Sequence, residues 1–213
     1  MNLFGNKWKD KDNPTGACLK DFNIKSYVKV YENAIPETIL SKLNKLLIDN
    51  NKDWSKHTFH DNINDTYKTY DDDLDVMFRC DLDGQLLDTW TALMSETWNV
   101  IKRYYTDLDM FWYDSWTGYS PIRFNKYSPG EKMKVHCDHI HTMFDGKVKG
   151  IPIVSIVGIL NDDYEGGEFI MWEKEEIKLP AGSVLLFPSN FMYPHKVMPI
   201  KSGHRYSYVS WVY

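Results

Sequence analysis

Between residues 134 and 142 the chain reads KVHCDHIHT, placing three histidines, a cysteine and an aspartate in nine positions. Imidazoles, thiolates and carboxylates are the side chains that bind transition metals, so the question is which of them share a face. Side chains alternate along a strand, which sends His136 and Asp138 one way and Cys137, His139 and His141 the other. His136-Cys137-Asp138 is the one HxD in the chain, and its spacing lets an imidazole nitrogen and a carboxylate oxygen reach one ion. The best third ligand is His195, in FMYPHKVMPIKSGHRYSYVSW, at the start of a later strand. Two histidines and one carboxylate on one face, with the opposite positions open, form the donor set of non-haem Fe(II) oxygenases.

Ten residues beyond His195 stands Arg205, on the next strand and followed by apolar and aromatic residues. A guanidinium inside an apolar barrel must be paired, and no acidic partner lies near it in sequence. A dicarboxylate ligand would supply the partner. Taken singly, each of these residues could be a satisfied polar core residue; the combination and its order point to a site. His139 and His141 read as surface or loop residues, with no second metal site, and Cys137 as a small buried filler.

The elements that must position these residues are legible in the periodicity. Residues 1–22 are polar and broken by Asn13, Pro14 and Gly16, which predicts a flexible arm. YVKVYENAIPETILSKLNKLLIDNN predicts a short strand, a turn and a helix entered through Pro36, with an apolar stripe at Ile39, Leu40, Leu43, Leu46 and Leu47. The stretch 52–75 shows no sustained period and predicts a long loop of the kind that serves as a lid. A second helix is expected over 82–105, where Leu86, Trp90, Leu93, Trp98, Ile101 and Tyr105 recur at helical spacing. From Trp112 onward, strands are expected at 121–127, 134–139, 152–160, 167–172, 183–187, 195–199 and 205–213, separated by Gly and Pro turns. Gly166-Gly167 reads as one such turn, and the charged run from Glu173 to Glu176 as a solvated one. The architecture is then an antiparallel sandwich or barrel with two helices outside it: helical support over 23–111 and a β core over 112–213 in a single domain from 23 onward.

Composition narrows the class. With 43% hydrophobic and 26% charged residues the 213-residue chain has a globular balance and enough length to bury a core. A formal charge of −5 offers nucleic acid no landing surface. No run approaches the roughly 20 apolar residues of a bilayer span, and the N-terminus has no signal-peptide core, so a cytoplasmic protein is expected, with neither membrane nor nucleic acid as partner. Cys18, Cys80 and Cys137 are odd in number and scattered, as free thiols of a reducing compartment would be.

HxD, then YEGGEF, then a histidine followed ten positions later by arginine, and finally SYVSW, together resemble the 2-oxoglutarate- and Fe(II)-dependent dioxygenases, and within them the prolyl 4-hydroxylase-like branch. The likeness covers roughly residues 24–213. It implies a double-stranded β-helix, a cupin-like jelly-roll barrel buttressed by N-terminal helices. It implies Fe(II) held by His136, Asp138 and His195, with Arg205 gripping the far carboxylate of 2-oxoglutarate. Tyr127 falls where a tyrosine hydroxyl bonds to that carboxylate, Ser155 where relatives carry a hydroxyl near it, and Trp211 where an aromatic lines the floor. The implied reaction consumes O2 and turns 2-oxoglutarate into succinate and CO2 as a substrate carbon is hydroxylated. Ascorbate is a further cofactor the family leads one to expect. Related halogenases have a small residue where this chain has Asp138, so hydroxylation is the implied outcome.

By strand alternation Arg123 and Asn125 share the face of Tyr127, where they either look into a substrate cavity or make a salt bridge at the sheet edge. The resemblance implies a peptidyl, prolyl substrate. Two departures leave the same chemistry on a free amino acid or small metabolite open: Met133 stands where a tyrosine is common, and 52–75 lacks the Arg, Thr and Ser cluster of many prolyl hydroxylases. A non-catalytic jelly-roll binding module is the third reading, and the lone Arg205 counts against it.

Overall fold

The computed structural model describes residues 23–49, 54–61, 64–108, 118–138 and 151–213. The N-terminal arm, His139 and His141 lie outside the described residues. The strands of the first half are β1 (Lys29–Tyr31), β2 (Ser55–Lys56), β3 (Phe59–Asp61), β4 (Thr66–Lys68) and β5 (Asp75–Met77). Those of the second are β6 (Arg123–Tyr127), β7 (Met133–His136), β8 (Val154–Ile159), β9 (Glu165–Gly166), β10 (Phe169–Met171), β11 (Glu175–Ile177), β12 (Val184–Pro188), β13 (His195–Val197), β14 (Ile200–Ser202) and β15 (Arg205–Val212). Two helices, α1 (Glu37–Asp49) and α2 (Gly84–Leu108), match the two apolar stripes in the sequence.

A seven-stranded antiparallel sheet runs β1-β12-β8-β15-β6-β5-β2, and a four-stranded one runs β11-β10-β13-β7. Alternation along the central strands sends one set of side chains outward and one inward. The outward set, among them Phe124, Val154, Ile156, Leu186 and Tyr208, packs with Leu40, Leu43 and Leu47 of α1 and with Trp90, Leu93 and Ile101 of α2. The inward set, among them Tyr127, Val157, Ile159, Leu185 and Phe187, meets Phe169, Met171 and Val197 of the smaller sheet. Because both its faces are covered, β8 is buried at every position and reads as a continuous apolar run. The result is a double-stranded β-helix with helices against its larger sheet.

The helices are also pinned by polar atoms. Trp90 Nε1 donates to the Ile122 carbonyl at 3.1 Å, and Thr97 Oγ1 lies 3.1 Å from the Tyr208 hydroxyl. Tyr208 crosses the backbone of β8 at Gly158, where an added Cβ would come within 1.9 Å of the ring.

Two expectations are corrected. The 52–75 stretch is not aperiodic throughout: β2 and β5 join the larger sheet, and β3 pairs with β4. Lys56 ties this segment down, pairing with Asp75 at 3.3 Å, with Glu131, and with the Asp73 carbonyl at 2.7 Å. The Glu173–Glu176 run is a turn only at its start, since Glu175 and Glu176 begin β11, an edge strand on β10 whose charges face solvent. Among the described residues no helix is long and apolar enough to cross a membrane.

Candidate metal centre

β7 and β13 lie side by side in the smaller sheet, with His136 opposite His195. Their rings face each other at 4.3 Å between centroids. Asp138 follows the end of β7, and its Oδ1 lies 3.4 Å from His136 Nε2 and 3.7 Å from His195 Nε2. One ligand atom from each of the three residues falls within 4.8 Å of the other two. Three donors from two distant segments thus converge as the sequence predicts.

The hydrogen bonds around the triad decide which atoms are free. His136 Nδ1 lies 2.8 Å from the Lys134 carbonyl and His195 Nδ1 lies 3.1 Å from the Tyr193 carbonyl. A carbonyl only accepts, so each Nδ1 carries a proton and each Nε2 is the ring atom turned toward Asp138. Trp211 Nε1 donates to Asp138 Oδ2 at 3.0 Å, which leaves Oδ1 to face the imidazoles. Trp211, expected as an aromatic floor, therefore also orients the carboxylate. His195 stacks on Phe169 at 5.2 Å and meets the edge of Phe187 at 5.0 Å, so its ring is clamped by apolar neighbours.

Electrostatics follow from this packing. Burial pulls the His195 pKa down to about 4. Burial also pulls on His136, but the hydrogen bond and charge of Asp138 outweigh it and leave that pKa raised. Burial alone would raise the Asp138 pKa; the hydrogen bond from His136, the charges of both histidines and the Ser155 hydroxyl hold it well below the usual carboxylate range. Near neutral pH the centre presents an anionic oxygen and the buried His195 as a neutral donor. This set suits Fe(II) in ligand type and number and leaves coordination positions open.

The cavity beside the triad is lined by two strands in register. Arg205 pairs with Tyr127, Ser207 with Asn125, and Val209 with Arg123; these six residues and Trp211 all line it. Arg205, 1% exposed, closes the deep end. Its Nη1 donates to Ser207 Oγ at 3.0 Å, its guanidinium lies 5.1 Å from the centre of the Tyr127 ring, and its buried Nε has no partner among the described residues. An orphaned cationic donor buried in a cavity beside a metal triad fits one end of a dicarboxylate. The space between these side chains is narrow, about 40 Å³. A larger pocket of about 450 Å³ lies beside Tyr164, Gly167 and Arg205 and holds none of the three donors.

The remaining predicted residues fall as follows. Arg123 and Asn125 face the cavity, and Arg123 makes no edge salt bridge among the described residues: its Nε donates to Asn125 Oδ1 at 3.1 Å. Ser155 pairs in register with Trp211, six positions or about 20 Å along β15 from Arg205. Its hydroxyl shares a 2.6 Å hydrogen bond with Ser189 and acts on Asp138. The hydroxyl that meets Arg205 is that of Ser207, which alternation from Arg205 would have put on the same face. Cys137 is only partly buried, and it and Cys80 are free thiols. Gly167 does more than turn the chain: at φ +67 it passes so close that a Cβ would lie 2.5 Å from Ile200 Cδ1 and 3.1 Å from Arg205 Cδ.

Comparison with known proteins agrees with this geometry. Residues 122–213 match the family model of the 2OG-Fe(II) oxygenase superfamily. A PKHD-type hydroxylase of Shewanella sp. (strain MR-7) is 35% identical over 98 residues, 44% of this chain and 42% of that protein. One from Stenotrophomonas maltophilia is 34% identical over 99 residues, 44% of this chain and 43% of that protein. The matched region thus spans less than half the length of these curated relatives. Among solved structures, a prolyl hydroxylase from Trichoplax adhaerens, in complex with a hypoxia inducible factor peptide fragment, superimposes with TM-score 0.67 at 17% identity, over 98% of this chain and 90% of that one. A Pseudomonas putida prolyl-4-hydroxylase gives TM-score 0.62 at 15% identity, over 92% and 95%. At such identities the superpositions establish the fold. Residues 122–213 are thus similar to the 2-oxoglutarate and Fe(II)-dependent oxygenase superfamily, and the chain shares the fold of the solved prolyl hydroxylases.

Proposed function

We propose that the protein is a 2-oxoglutarate- and Fe(II)-dependent dioxygenase that hydroxylates a peptidyl residue, prolyl by the sense of its relatives. The observation that carries this reading is the triad: two Nε2 atoms and one carboxylate oxygen turned toward one point, with their orientations already fixed by hydrogen bonds. His136, Asp138 and His195 would hold Fe(II). Arg205, with Ser207 and Tyr127 around it, would take the far carboxylate of 2-oxoglutarate. The bound iron and 2-oxoglutarate would supply O2 activation coupled to oxidative decarboxylation, yielding succinate and CO2.

The chain's own contribution is to bind, aim and shield. The Lys134 and Tyr193 carbonyls keep protons on the outer imidazole nitrogens, so neither ring has to turn when metal arrives. Trp211 stops the carboxylate from rotating and holds it to one ligating oxygen. Phe169, Phe187 and Val197 exclude water on the His195 side, which protects a reactive centre from side reactions. The hydroxylase names of the sequence relatives support hydroxylation as the outcome.

The test is an anaerobic titration with Fe(II) and 2-oxoglutarate, followed by a screen of proline-rich peptides and free amino acids for succinate release in air. Release stimulated by peptides supports the peptidyl reading; release stimulated only by free amino acids replaces it with the small-metabolite one. His136→Ala or Asp138→Ala should abolish release, and near wild-type turnover in either would refute the ligand assignment.

A further inference from the structure

The inner face of β6 and β15 carries two guanidiniums, and the dioxygenase reading employs only one. Arg205 closes the deep end of the cavity, whereas Arg123 lies opposite Val209, four positions or about 13 Å farther along β15. A five-carbon diacid anchored at the triad has a single far carboxylate, which it cannot give to both. Arg123 thus needs its own account.

Arg123 is only partly buried, but a cation lining a narrow cavity still favours an anion over an apolar occupant. Burial lowers the Arg123 pKa, and the groups that offset this are Tyr127 and Asp138. Tyr127 is itself pushed up by burial and stays a neutral phenol. Asp138 spends Oδ2 on Trp211 and turns Oδ1 to the imidazoles, so its charge is committed to the triad. The hydrogen-bond partner Arg123 does have, Asn125 Oδ1, is uncharged and takes Nε alone. His57, close enough for the charges of Arg123 and His136 to act on it, is held neutral by burial, and its buried Nδ1 has no partner among the described residues. No carboxylate pairs with Arg123 among the described residues. Its guanidinium meanwhile lies over the Trp211 ring at 5.6 Å, beside the residue that orients the metal-facing carboxylate. A planar fork backed by an indole, with no partner for its terminal donors among the described residues and the reacting centre next to it, is built for bidentate recognition of a carboxylate.

We propose that Arg123, supported by Trp211 and Asn125, is a carboxylate-binding subsite for the substrate, so that the molecule oxidised carries a carboxylate close to the carbon it presents to the metal. This rests on the dioxygenase reading and specifies its substrate. The carboxylate is either that of a free amino acid or one borne by a peptide, at its C-terminus or on an acidic side chain beside the target residue.

The experiment is equilibrium binding to protein loaded with Mn(II) and 2-oxoglutarate, a combination that does not turn over. Three arms are titrated: a set of L-amino acids including proline, each against its amide; Gly-Pro against Gly-Pro-amide; and N-acetyl-Pro-Asp-amide against N-acetyl-Pro-Asn-amide. In at least one arm the carboxylate member should bind about tenfold or more tightly than its neutral partner, as expected when a charge-assisted pair replaces a neutral contact. That preference should vanish in Arg123→Gln and survive in part in Arg123→Lys, while 2-oxoglutarate affinity, measured in the same titrations, is retained. Equal binding of acid and neutral partner in every pair, or binding of neither, overturns the proposal. So does a loss of 2-oxoglutarate affinity in both variants, which would assign Arg123 to the co-substrate. Failure of the dioxygenase reading is separable, because the wild-type protein would then not bind 2-oxoglutarate at all.

Discussion

At the scale of single residues, the centre is a set of proton assignments as much as a set of distances. Metal competes with protons for the same lone pairs. His195, with a pKa of about 4, has already lost its proton at any pH above about 5. His136 is raised above its ordinary value, so it still carries a proton over part of the range near and below pH 6.5. Asp138 is anionic throughout. Near pH 6 Mn(II) binding should therefore displace about one proton per ion, from His136, and affinity should fall as pH drops through that raised pKa. Calorimetry in buffers of different ionisation enthalpy measures the proton count; two protons released would mean that His195 is not neutral beforehand. The triad and Arg205 were legible in the sequence because their spacing carries a coordination geometry. The support around them was not: Trp211 donating to Asp138, the carbonyls on both Nδ1 atoms, and Ser155 standing by Asp138 depend on how two sheets meet.

At the scale of elements, alternation and helical stripes located both helices and the seven main strands of the barrel to within a few residues, because each buries one face or both. The strands missed lack that signal. β11 is charged and sits at an edge, and β2 to β5, β9 and β14 are two or three residues long, too short to show a period. Gly158 exposes another limit. Within the run IPIVSIVGIL it looks like a weak point in a strand, yet Tyr208 crosses the backbone there and reaches Thr97 of α2. A methyl at 158 would overlap a ring that is fully buried and hydrogen bonded. Gly158→Ala should cost about 1–3 kcal/mol or more, the usual penalty of overpacking, and should lower the urea midpoint with little change in the slope. An unchanged midpoint would mean that Tyr208 can swing aside and that α2 is not seated on β15 through it.

At the scale of the whole molecule, the donors do not come from one rigid piece. His136 and His195 belong to the smaller sheet, while Asp138 is held to the larger one through Trp211 of β15 and Ser155 of β8. Among the described residues the two sheets also share the apolar inner core, and the Asp138 carboxylate carries polar contacts to both. A divalent ion bound by all three residues would staple sheet to sheet, and because the unfolded chain cannot assemble the site, its binding energy appears as stability. At about a hundredfold excess over the dissociation constant the gain is about 2.7 kcal/mol, which for a chain of this size is about 5–10 °C in Tm. Scanning calorimetry with Mn(II) or Fe(II) under argon should show that rise in the wild-type protein. His195→Ala should lose it through a missing donor. Trp211→Phe should lose part of it while keeping all three donors, because its carboxylate is free to turn. A full shift in Trp211→Phe would show that metal alone orients Asp138, and no shift in the wild type would mean that the sheets do not close on a shared ion.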